Sequence, residues 1–300
     1  MSALCHEDRI ETGPAAGTMM RVYPGAGGLR AAPIVLHLHG GAFVGGSLAC
    51  GGIVSSLLAQ AGATVVSAAY PLACTQPFPH GLDVAYGALT WLHDNRIRFG
   101  ARASKVFVAG EEAGGNLAAA LALMARDQRM PPLAGQILLC PMLDACLATP
   151  SLRAADAGSE ACKWAKGWRA YLGTADKAAH PYAAPLQASR LTGIAPALII
   201  TSNDDPMRDE ALRYGARLQQ AGVPASAHVI TSDTGWPDSL GALDADATQG
   251  HASSWEALFA AESWPAAVRG LFAAFLRDPS ADFSHLATAA PAAVGADLSR

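Results

Sequence analysis

Along the chain, compact apolar runs alternate with longer stretches in which apolar residues return at helical spacing. PIVLHLH (33–39), ATVVSAAY (63–70) and KVFVAG (105–110) are short runs rich in Val, Ile and Leu. AGQILLCPML (134–143), APALIITSN (195–203) and ASAHVIT (225–231) repeat that pattern. Continuous apolar runs of this length predict strands covered on both faces rather than an open antiparallel sheet. Helical spacing fills the intervals at 51–62, 80–100, 115–128, 209–222 and 264–278. Gly62 and Gly222 stand at the ends of two of these helices, where a left-handed residue closes the last turn. Strands alternating with helices predict an α/β fold with a mostly parallel central sheet and helices on both faces.

Two segments break the rhythm. Residues 150–190 carry Trp164, Trp168 and Tyr171 among polar residues and are expected to form a short lid over the strand ends, where open α/β sheets bind ligands. Residues 232–262 form a long Gly/Asp/Ala/Ser-rich loop, a length usually reserved for function or mobility. The Ala/Pro-rich tail at 279–300 is expected to pack weakly. The expected organisation is one domain over 1–278, because 300 residues with 51% hydrophobic content suffice for one large core.

Composition narrows the function classes. A formal net charge of −4 gives no electrostatic case for nucleic acid or an anionic membrane. The start MSALCHEDRIETG lacks a cationic segment and an apolar core, so it does not read as a secretion signal, and a cytoplasmic location is expected. The six cysteines form no CxxC pair and no zinc-spaced cluster, so neither a metal nor another cofactor is expected.

The chemistry concentrates in four motifs. HGGAF (39–43) follows a strand, and GEEAGGN (110–116) links a strand to a helix. YLG (171–173) precedes HPYAAPL (180–186), and DPMRDE (205–210) opens a later helix. In this order and at these intervals they resemble the hormone-sensitive-lipase family of α/β-hydrolases, with its HGGG, GDSAGGN, YLG…DPYASPL and DPLRDE motifs. The resemblance covers roughly residues 30–235 and implies the α/β-hydrolase fold. It implies an oxyanion hole from Gly40, Gly41 and the Ala113 amide, and Asp205 as the catalytic acid. His39, Ala42 and Phe43 fall beside that hole as candidate pocket residues. It also implies a smaller lid, since only about thirty residues precede the oxyanion strand. The family often pairs two copies through a sheet edge or its final helix, which makes a homodimer an open expectation.

Two departures from the family change the expected chemistry. Glu112 stands where the family carries its serine nucleophile, and Thr234-Gly235-Trp236 stands where its histidine is found. Thr234, Trp236 and His251, in the long loop, are the candidates for closing the pocket from that side. A carboxylate has no hydroxyl to activate, so the acyl-enzyme route is closed at this position. Three roles stay open for Glu112: a structural anion at the helix N-terminus that fills the oxyanion hole, a general acid or base beside Asp205, or a direct nucleophile. Asp205 has the plainer alternative of capping the helix after Pro206. The expected function is therefore action on a small, partly apolar carbonyl compound without serine-esterase chemistry. The second class is a catalytically silent ligand-binding protein. Negligible ester turnover is expected on either reading. Arg208 and Asp209 read as ordinary surface charges.

Overall fold

The structure is a computed structural model that describes residues 5–26, 31–155, 161–231, 264–281 and 283. An eight-stranded sheet organises it. In chain order its strands are β1 (His6–Arg9), β2 (Met19–Tyr23), β3 (Ile34–Leu38), β4 (Thr64–Ala68), β5 (Val106–Glu111), β6 (Gly135–Leu139), β7 (Ala197–Ser202) and β8 (Ala225–Ile230). Their spatial order is β1-β2-β4-β3-β5-β6-β7-β8. The β1–β2 and β2–β4 pairs are antiparallel, and the other five pairs are parallel. The expected α/β architecture is thus observed: an α/β-hydrolase fold with a mostly parallel sheet.

Strand periodicity builds two cores. In β3, Ile34, Leu36 and Leu38 face one layer while Val35 faces the other. In β5, Val106 and Val108 oppose Phe107 and Ala109 in the same way. One face is covered by α2 (His80–Asp94), α4 (Glu112–Gln128) and α7 (Arg208–Gln220), through residues such as Leu89, Leu121 and Leu218. The other is covered by α1 (Gly52–Gln60) and the last described helix, α8 (Trp264–Arg277), through Leu57, Leu271 and Phe272. A short helix, α3 (Arg96–Phe99), follows α2. Between β6 and β7 lie α5 (Pro150–Ala155) and α6 (Ala161–Leu172), within the segment read as a lid.

The departures from the sequence pattern are local. The strands β1 and β2 carry no long apolar run: β1 reads HEDR and is mostly exposed, so periodicity missed it. The helical stretch 80–100 divides at Asn95, which separates α2 from α3. The run 134–143 is a strand only to Leu139, because Cys140 turns to a positive φ of 38° and Pro141 follows. The helix read from 115 begins three residues earlier, at Glu112. The long loop at 232–262 lies outside the described residues, as does most of the tail.

One contact fixes the spacing between β3 and α4. The Gly114 backbone passes so close to the end of β3 that a Cβ there would sit 2.0 Å from the Leu38 carbonyl oxygen. Gly114→Ala is therefore expected to destabilise the fold by about 1–3 kcal/mol through overpacking. Chemical denaturation would show this as a lowered midpoint with an unchanged slope; a midpoint equal to wild type would mean the two elements are free to move apart.

Candidate functional site

The site forms where β3 and β5 end side by side. Their parallel register sets Leu38 opposite Gly110. Beyond Leu38 the chain enters a tight loop in which Gly41, Ala42 and Phe43 all adopt positive φ, at 115°, 49° and 65°. Beyond Glu111 it turns sharply into α4: Glu111 is extended at φ −110°, and Glu112 sits at φ +54°. A non-glycine residue in the left-handed region is strained, and the strain persists only where surroundings over-determine it.

The two glutamates of this corner reach different parts of the same loop. Glu111 is buried; its Oε1 accepts the Gly40 amide at 3.0 Å, and its Oε2 lies 2.7 Å from His37 Nε2. His37 Nδ1 lies 3.0 Å from Ser67 Oγ and 3.1 Å from Ser55 Oγ. Glu112 Oε2 accepts the Gly41 amide at 2.6 Å and the Ala42 amide at 3.2 Å. Glu112 Oε1 accepts the Trp164 indole N–H at 2.9 Å and lies 3.4 Å from Lys163 Nζ. The carboxylate is therefore held on both oxygens, by backbone amides on one side and by α6 on the other. Charge-assisted bonds of this kind offset the cost of burying an anion.

The helix α6 can approach this closely because Gly167 has no side chain. A Cβ at that position would sit 2.2 Å from the Ala42 carbonyl oxygen. Next to it, Phe43 stacks on Tyr171 with ring centroids 3.9 Å apart and leans on Trp168 at 5.2 Å. Phe43, Trp168 and Tyr171 are all buried, so in this structure they pack against one another rather than bound open space. His39 also faces inward. Its Nδ1 lies 2.7 Å from the Gly40 carbonyl, its ring stacks on Tyr70, and Tyr70 donates to its carbonyl at 2.7 Å. Burial pushes the His39 imidazole below its ordinary pKa.

The side chain of Asp205 is buried at the start of the α7 region. It accepts the Thr201 hydroxyl at 2.5 Å and the Met207 amide at 2.8 Å. The latter is a local turn bond two residues on, and because the N-cap position of α7 is Met207, Asp205 does not cap that helix as the sequence suggested. Burial pushes its pKa up to about 7 despite both bonds, and the nearby Glu112 and Asp204 charges add to the rise. Asp209 proves to be more than a surface charge. Its carboxylate accepts the Ser151 amide at 2.8 Å, and its own amide donates to Ser151 Oγ at 3.2 Å, tying α7 to α5. Glu210 behind it accepts the Leu143 amide at 2.8 Å.

Among the sequence-predicted site residues, the structure brings Gly40, Gly41, Ala42 and Glu112 together, with the buried Ala113 following in α4. The Gly40 amide bonds Glu111, whereas the amides on the Glu112 carboxylate are those of Gly41 and Ala42. Thr234, Trp236 and His251 lie outside the described residues. The grip of Trp164 and Lys163 on Glu112 was not read from the sequence, since these residues are more than fifty positions apart and no spacing rule links them. A cavity of ≈ 480 Å³ lies elsewhere, near Ser104, Lys105 and Asp278 at the amino-terminal ends of β5 and β6. Among the described residues, no group of three or more His, Cys, Asp or Glu is placed to hold a metal. No helix among them is long and apolar enough to cross a membrane.

Comparison with known proteins extends this picture. A family description of the α/β-hydrolase fold matches residues 35–234. The chain is 37% identical over 222 residues to Esterase LipI of Mycobacterium tuberculosis, covering 72% of this chain and 69% of that protein. It is 32% identical over 232 residues to an ethyl acetate hydrolase of Pseudomonas putida, covering 75% of this chain and 72% of that one. For a carboxylesterase, NlhH of M. tuberculosis, the shared part spans only 62% of the relative's length. Among solved structures, a thermostable esterase from P. putida superposes with a TM-score of 0.71 at 28% identity, covering 81% of each chain. A bacterial heroin esterase superposes with a TM-score of 0.71 at 26% identity, covering 93% of this chain and 85% of that one. The sheet order, the strained corner between β5 and α4 and these matches lead to one assignment: the chain belongs to the α/β-hydrolase fold family, in its hormone-sensitive-lipase-like group.

Proposed function

We propose that this protein hydrolyses small carboxylic esters at the corner between β5 and α4. The reading corrects the sequence-based expectation of a function outside ester hydrolysis or of a silent binding protein. Relatives at 32–37% identity are named an esterase, a carboxylesterase, an arylesterase and an ethyl acetate hydrolase, and the two superposed structures are of esterases. That expectation weighed the side chain at the apex of the turn and gave too little weight to the backbone around it.

One observation carries the proposal. The amides of Gly41 and Ala42 converge on a single carboxyl oxygen at 2.6 and 3.2 Å. Two fixed donors aimed at one point are what a developing oxyanion requires, and each such donor contributes about 2.7–4 kcal/mol in enzymes that use them. The donors belong to a strained loop held by Glu111 from below and by α6 from above, so they need little reorganisation during reaction. Gly41, Ala42 and Ala113 are the proposed elements of the hole; Gly40, expected there from the sequence, is not one of them, because its amide is bound to the buried Glu111 carboxylate. Glu112 and Asp205 are the proposed catalytic carboxylates. A short acyl group is the proposed fit, because Phe43, Trp168 and Tyr171 close the space beside the loop. A single hydrolase domain in the cytoplasm, with a small-molecule substrate and pairing of two copies, belongs to the same reading.

Hydrolysis of p-nitrophenyl acetate and butyrate tests the proposal. Turnover well above the buffer rate is expected, with Glu112→Ala lowering kcat/KM at least about tenfold, or roughly 1.4 kcal/mol. Rates no higher than buffer for wild type would refute ester hydrolysis, and an unchanged rate for the variant would remove Glu112 from the chemistry.

The buried Asp205 carboxyl gives a second expectation. Its pKa is raised from 3.8 to about 7 in the folded protein, so folding favours its protonated form. Between those two values the folded state binds more protons than the unfolded chain, and stability falls as pH rises. Asp205→Asn keeps an uncharged group of the same shape and removes this contribution. The stability of wild type relative to the variant is expected to drop by about 2–4 kcal/mol between pH 4 and pH 8. Denaturation curves for both proteins across that range check it; parallel pH profiles would mean that folding leaves the Asp205 pKa unshifted.

A further inference from the structure

The grip on Glu112 is two-sided, and only one side belongs to the oxyanion loop. Oε2 meets the Gly41 and Ala42 amides, and Oε1 meets the Trp164 indole N–H and the Lys163 ammonium. The four donors surround a planar O–C–O group and match both of its oxygens. Trp164 is fully buried, which fixes its N–H, whereas the Lys163 side chain is 37% exposed. Lys163 also lies 5.4 Å from the Trp164 ring, within range for a cation–π contact that steadies the pair.

From this we propose that Gly41, Ala42, Trp164 and Lys163 form a subsite for a short-chain carboxylate, the acid released by ester hydrolysis. Glu112 is its resident intramolecular competitor. The inference rests on the proposed ester hydrolysis for the identity of the acid, but the subsite itself is defined by geometry. Each element has a physical reason. Two amides alone donate equally well to any oxygen, ester or acid. The ammonium adds a charge that discriminates the anionic acid from a neutral carbonyl compound. The indole N–H, buried with its partner, loses a bond whenever the second oxygen is absent, which disfavours ligands that lack one. Glu112 supplies both oxygens from within the chain, so a free acid enters only when that side chain is displaced or removed.

The test uses Glu112→Gly. Glycine suits the positive φ at this position, so the corner stays folded while the resident carboxylate is lost. Glu112→Ala runs beside it, and far-UV circular dichroism with thermal melting establishes that each variant is folded. Calorimetric titration with sodium butyrate is expected to show binding at least about tenfold tighter in E112G than in wild type. Adding Lys163→Met or Trp164→Phe to E112G is expected to weaken butyrate binding at least about fivefold, while K163M leaves binding of neutral butyramide unchanged. Folded E112G and E112A that bind butyrate no better than wild type would overturn the subsite. So would butyrate affinity insensitive to both α6 substitutions. Because the readout is binding heat, failure of ester turnover in wild type refutes the proposed function without touching this result.

Discussion

The parallel register between β3 and β5 is the constraint on which the site depends. It sets Leu38 beside Gly110, so the two chains leave the sheet as neighbours, one into the loop at 39–45 and the other into α4. Gly114 presses against the Leu38 carbonyl and keeps that separation small. Only at this distance can Glu111 and Glu112 reach the amides of Gly40, Gly41 and Ala42, seventy-one or seventy positions earlier in the chain. Slipping the register by one residue would exchange the side chains that either strand gives to the two core layers and would move Leu38 away from Gly110.

Burying acids at this corner demands donors, and the structure assigns them separately. Glu111 takes one amide and a histidine; Glu112 takes two amides, an indole and a lysine; Glu210 takes the Leu143 amide. Asp205 has one amide and one hydroxyl, and burial still raises its pKa to about 7. Asp127, near the surface, shows the opposite balance. Arg126 and the Tyr182 hydroxyl bond it and hold its pKa below the ordinary value. Whether a carboxyl group is held ionised thus depends on the number and charge of its donors against the depth of burial.

The strands β3 to β7 were readable because each is buried on both faces and so is written as a continuous apolar run. The same logic explains why β1 and β2 were not. They join an edge of the sheet by antiparallel pairing, and β1 carries His6, Glu7, Asp8 and Arg9. Motif order located the loop at Gly40 and Gly41, the corner at Glu112 and the buried carboxyl group of Asp205. It did not reveal which amide meets which oxygen, because Gly40 is diverted to Glu111 by tertiary geometry. Nor did it reveal Trp164, Lys163 or the Ser151–Asp209 tie, which are contacts between elements far apart in sequence.

The substitution at residue 112 changes one side chain, whereas the oxyanion loop is built from backbone. Amides at Gly41 and Ala42 keep their positions because of loop dihedrals, the Glu111 bond behind them and the α6 contact above them. A glutamate at the apex therefore inherits the loop and becomes a ligand for it. A ligand tethered in the same chain acts at an effective concentration in the millimolar range or higher, so on the proposed reading an incoming ester first displaces the carboxylate from the amides, and the displaced Glu112 is then the group that acts on it. The apparent affinity of the ester then reports a difference between two occupants of the same donors, not the strength of either set of bonds alone. Lys163 enters that difference unequally, since its charge favours the resident carboxylate over a neutral ester. On the proposed reading, part of the cost of substrate entry is then set from α6, by a residue that lies outside the motifs that identify the family.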